Sequence, residues 1–93
     1  MTTRPAIFNG GHIVATPPAI EVMEQAGVTH ASLLDRHFGG DWGDVSEFDG
    51  KMNDEALFTG ARIWSIYQTT AGRLYVITEA DRSSTCILRP EDY

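Results

Sequence analysis

The sequence predicts an α+β domain: a short N-terminal strand, three short helices, then a three-stranded antiparallel meander, with the helices packed on one face of the sheet. Three observations carry that prediction. Thr16, Thr29 and Ser46 each open a segment that a glycine later closes, the punctuation of capped helices. From Arg62 onward Ile, Trp, Tyr and Val dominate and alternate, as they do in strands. Short polar turns at 70–72 and 81–83 then divide that stretch into three runs.

Each element follows from its own residues. Residues 1–9 contain Pro5 and no hydrophobic period, and read as a loose N-terminal arm. Gly10-Gly11 punctuates, and His12-Ile13-Val14-Ala15 is a short strand with β-branched residues at its centre. Thr16-Pro17 is a helix start, a hydroxyl cap followed by a proline whose missing N–H costs nothing there. That helix runs to Ala26, with Ile20, Met23 and Ala26 on its apolar stripe and Glu21 and Glu24 toward water. A second helix runs from Thr29 to about Phe38, carrying Leu33, Leu34 and, one turn on, His37 and Phe38. Ser46, with Asp49 three residues later, opens a third helix ending at Phe58 before Gly60. Its expected buried face is Phe48, Met52 and Ala56, with Gly50 costing roughly 1 kcal/mol relative to alanine. Arg62–Thr69, Arg73–Glu79 and Ser84–Arg89 are the three strands of the meander, the last closed by Pro90. Leu74 and Val76 fall on one face of the middle strand, Tyr75 and Ile77 on the other. With 93 residues and no linker or internal repeat, one domain over 1–93 is the reading.

Charge narrows the function. The formal net charge is −6, which disfavours direct binding of nucleic acid, a task that needs clustered Lys and Arg. Residues 41–55 hold Asp41, Asp44, Glu47, Asp49, Asp54 and Glu55 against Lys51 alone, so that stretch carries −5 of the total. The apolar runs are too short to cross a bilayer and no signal peptide is evident; with Cys86 the lone cysteine, the expected location is cytoplasmic.

The residues offer little to catalysis. His30 and His37 are two helical turns apart, about 10 Å along the axis, too far to share one metal. No paired cysteines and no His-Glu-x-x-His are present, and Trp42 interrupts the acids in a way no EF-hand loop tolerates. Cys86 sits mid-strand in apolar company, the setting of an inert thiol. His37 is expected on the apolar edge of its helix or hydrogen-bonded to a carboxylate such as Asp41. No catalytic residue, metal or cofactor is therefore assigned. The turn Glu79-Ala80-Asp81-Arg82-Ser83-Ser84 concentrates two carboxylates, a guanidinium and hydroxyls at a sheet end, where recognition loops often sit. Its simpler reading is a turn in which Asp81 accepts backbone N–H groups and Arg82 pairs with an acid.

Gly40-Asp41-Trp42-Gly43-Asp44, Gly60-Ala61-Arg62 and above all Ile77-Thr78-Glu79-Ala80-Asp81-Arg82-Ser83-Ser84-Thr85 resemble a family of small acidic proteins encoded on bacterial plasmids, integrative elements and phage-derived islands. The likeness extends from about Ala15 to Tyr93 and brings no catalytic residues with it. It implies a mobile-element setting, in which small acidic proteins include inhibitors of host defence of the anti-CRISPR or anti-restriction type. The expectation is thus a non-enzymatic accessory protein that binds another protein with a basic surface through Asp41, Trp42, Asp44, Glu47, Asp49, Glu79, Asp81, Arg82 and Ser83. Trp42 would be its central anchor. The alternative is a small enzyme or metal-dependent factor using His37, Asp41 and the Glu79–Ser84 loop. A homodimer through an exposed edge strand is a third reading.

Overall fold

The computed structural model describes residues 5–93. Strand β1 (His12–Ala15) is followed by helices α1 (Pro17–Ala26), α2 (His30–Phe38) and α3 (Glu47–Thr59), strands β2 (Ile63–Thr69), β3 (Gly72–Thr78) and β4 (Ser84–Leu88), and a 3-10 turn at Pro90–Asp92. The class is α+β, and the sheet is four-stranded and mixed, in the order β1-β4-β3-β2. The meander is present, but it is not the whole sheet. β1 joins its far side by pairing parallel to β4, with Val14 opposite Cys86. The 3-10 turn after Pro90 has no counterpart in the sequence reading.

The helix starts are those the hydroxyl residues announce: Thr16, Thr29 and Ser46 each accept a backbone N–H three residues on. Thr16 does more, because its hydroxyl also donates to Asp92 Oδ2 at 2.9 Å and ties α1 to the C-terminal turn. Asp92 is held in turn by the Arg89 guanidinium, which draws its carboxyl down to about 2.

The two faces of the sheet are covered unequally. Ala19 and Met23 of α1 and Leu33 of α2 pack with Tyr67, Leu74, Val76 and Ile87 to form the main core on the inner face. The outer face carries Trp64, whose ring lies 5.0 Å from Tyr75 and 4.8 Å from Tyr93. Only two helices belong to the expected layer. The third, α3, lies along the free edge of β2, where Ala56 meets Trp42 and Ile63 in a second core.

That edge is sealed by hydrogen bonds. Asn53 Nδ2 donates to Trp64 O at 2.8 Å and Asn53 Oδ1 accepts from Trp64 N at 3.0 Å. One step along, Ile66 N donates to Trp42 O and Asp44 N donates to Ile66 O. Gly43 makes this second pairing sterically feasible: at φ 75° it lies so close to β2 that a Cβ would sit 2.0 Å from Ile66 O.

Part of the stretch read as a loose arm, 1–9, lies outside the described residues. Its described part is docked, with Ile7 N donating to Phe38 O at 2.8 Å and the Phe8 ring against His37, Phe38 and Trp42. No helix among the described residues is long and apolar enough to cross a membrane.

Candidate functional site

The residues expected to bind a partner fall into two groups that the fold keeps apart. Asp41, Trp42 and Asp44 line the β2 edge, and Glu47 and Asp49 begin α3. Glu79, Asp81, Arg82 and Ser83 turn between β3 and β4, beside the other end of α3, where Arg82 Nη2 donates to Ala56 O at 2.9 Å. A helix of this length spans about 20 Å, so the two groups do not form one site.

Several of them are committed to the fold. Trp42, expected as an anchor for a partner, is buried in the chain's own second core, and its indole N–H donates to Asp54 at 3.0 Å. Asp41 accepts from Arg36 Nε at 2.7 Å and from Gly43 N, while its carbonyl accepts from the Tyr67 hydroxyl. Asp44 pairs with Arg73 at 3.1 Å. Glu47 and Asp49 occupy the first turn of α3, where the N-terminal dipole favours them, and both stay exposed.

In the 79–84 turn, Asp81 does accept the Ser83 N–H, and the Ser83 hydroxyl together with that N–H holds its carboxyl below the usual range. Among the described residues Arg82 pairs with no carboxylate, contrary to expectation. Its guanidinium turns inward and donates to the carbonyls of Ala56, Ala61, Glu79 and Ala80. It therefore caps the end of α3 and fastens that helix to the β3–β4 turn.

His37 is likewise a core residue, and its partners are not acids. Nδ1 lies 2.6 Å from Ser65 Oγ and Nε2 2.9 Å from Thr78 Oγ1. Thr78 continues to Thr85, which donates to Gly10 O, completing a buried polar chain across the inner face. Burial pushes the imidazole down to about 3, so it is neutral at physiological pH. It has no exposed surface from which to reach a substrate. Cys86 is half-buried on the outer face, and burial raises its thiol. Among the described residues no group of three His, Cys, Asp or Glu side chains is placed to hold a metal.

The feature that the sequence reading missed lies between α3 and the outer face of the sheet. A groove of about 450 Å³ opens there, with Phe48 and Met52 on the helix side and Trp64, Ile66 and Tyr75 on the strand side. Phe48 is 70% exposed and Met52 48%, although their spacing with Ala56 predicted a buried stripe; only Ala56 is buried. The reason is the Asn53 clasp on Trp64. It turns the Asn53–Ala56 side of α3 to the β2 edge and leaves Phe48 and Met52 on its flank. Asp49 lines the same groove. Trp64, on the strand wall, also carries a buried indole N–H that has no hydrogen-bond partner among the described residues. The lone sequence signal was Asn53 itself, a polar residue on the face that Ala56 buries. No protein-family model, curated protein or solved structure matches the chain.

Proposed function

We propose that this chain is a non-enzymatic protein-binding module whose binding surface is the groove between α3 and the outer sheet face. The observation that carries this reading is the exposure of Phe48 and Met52 beside the Trp64 and Tyr75 rings. Clustered exposed apolar side chains with aromatic neighbours mark interaction surfaces in soluble proteins. The acids beside them define the partner. Asp49 lines the groove and Glu47 and Glu55 are exposed on the same helix, with Lys51 the one basic residue there. A partner segment with an apolar side chain for the floor and Lys or Arg flanks fits that set. In the mobile-element setting that the resemblance implies, such a module acts as an accessory factor, including one that occupies a basic surface of a host-defence protein.

The test uses a short amphipathic peptide with a Leu face and Lys flanks, titrated into the labelled protein and followed by amide and indole resonances. The expected result is a shift of the Trp64 indole resonance, lost in the Phe48→Ser, Met52→Ser double variant and unchanged in Asp81→Asn. Absence of a shift, or an equal shift in the double variant, overturns the assignment of the groove.

A further inference from the structure

The two edges of the sheet are treated differently. Along β2, both backbone groups of Trp64 and both of Ile66 are taken by Asn53, Trp42 and Asp44. The opposite edge is β1, whose one strand neighbour among the described residues is β4. His12 N donates to Ser83 O and Thr16 N to Ile87 O, so by alternation the N–H and C=O groups of Ile13 and Ala15 point away from β4. Among the described residues no backbone group hydrogen-bonds to this side. Ile13 is 42% and Val14 50% exposed, and the strand contains no Asp, Glu, Lys or Arg. Bare edges of this kind pair with further strands unless blunted by charge or proline.

We infer that β1 is a self-association edge, on which a second copy of this chain adds its own β1 antiparallel across a two-fold axis at Val14. Three features select a second copy. The outward-pointing groups are self-complementary: Ile13 faces Ala15 of the other chain twice, giving four backbone hydrogen bonds, and Val14 meets Val14 in the closer, non-hydrogen-bonded pair. On the inner face each pairing sets a large side chain against a small one. Charge also favours this edge over every other. The acidic stretch 41–55 lies along β2, at the far side of the sheet from β1. Joining two sheets through β1 puts the two β2 strands seven strand spacings apart, about 34 Å. That is several times the Debye length of about 8 Å, so the −5 segments do not oppose association.

The inference is independent of the groove, and its test leaves Phe48 and Met52 untouched. Sedimentation equilibrium from micromolar to about 1 mM protein should show the mass rising from 10.2 kDa toward twice that value. Val14→Lys, a change at an exposed position that sets two cations against each other at the axis, should hold the chain monomeric with an unchanged circular dichroism spectrum. In a Cys86→Ser background, Val14→Cys should form an intermolecular disulfide under mild oxidation, because a non-hydrogen-bonded pair has a Cα separation of about 4.5 Å, within disulfide range. A monomeric mass at every concentration overturns the inference. So does a dimer that persists in Val14→Lys and fails to cross-link at Val14→Cys.

Discussion

Asn53 grips the backbone of Trp64 with both ends of its amide, donating to the carbonyl at 2.8 Å and accepting from the N–H at 3.0 Å. One side chain thereby takes the place of a fifth strand at that point. It also sets the rotation of α3, and with it the separation of the groove's two walls, because Phe48 and Met52 are on the helix and Trp64 is on the strand.

Asn53→Ala should therefore cost about 2 kcal/mol, the net worth of two hydrogen bonds in a partly buried setting. Urea unfolding measures the loss. The same variant should alter the Trp64 indole resonance more than that of Trp42, because Trp42 is held separately by Asp54.

Gly50 lies inside α3 without needing to be glycine. A Cβ there would meet Val45 at 3.7 Å and Trp42 at 4.0 Å, both ordinary contacts. Gly50→Ala should accordingly stabilise the fold by about 0.5–1 kcal/mol, read as a higher urea midpoint with an unchanged slope.

The neutral, buried His37 makes stability pH-dependent. Its folded-state value, about 3, lies below the ordinary 6.5, so the unfolded chain takes up the proton first. Stability is complete above about pH 6.5 and falls as the pH drops toward 3, by up to about 1.4 kcal/mol per pH unit. Asp92, held low by Arg89, adds a loss of the same sign only below about pH 4. Urea midpoints between pH 7 and pH 5 isolate the histidine. His37→Gln should flatten the profile in that window while lowering stability at pH 7.

Arg82 should behave as a structural residue. Arg82→Lys, which keeps the charge, cannot reach four carbonyls from one ammonium and should cost about 1–3 kcal/mol. Amide exchange should quicken at the end of α3 near Ala56. A variant as stable as the parent would show that the guanidinium contributes nothing there.

Much of this fold is local, and was legible for that reason. Thr16, Thr29 and Ser46 cap helices through hydroxyls that reach three residues along the same chain. The alternation of Leu74, Tyr75, Val76 and Ile77 assigns its own two faces in the same way. Neither feature depends on a distant partner.

What tertiary structure decided was which distant groups meet. The spacing of Phe48, Met52 and Ala56 fits a buried stripe, but a helix has several faces, and a bond to Trp64 chose the one containing Asn53. The parallel pairing of β1 with β4 joins residues more than seventy positions apart, and no local pattern encodes it. The same holds for charge. The sequence by itself located −5 of the −6 between 41 and 55. Tertiary contacts then engaged Asp41, Asp44 and Asp54 with Arg36, Arg73 and Trp42, leaving Asp49 to line an apolar groove. A carboxylate's place in the chain fixes its charge, whereas its work depends on which donor the folded backbone brings within about 3 Å.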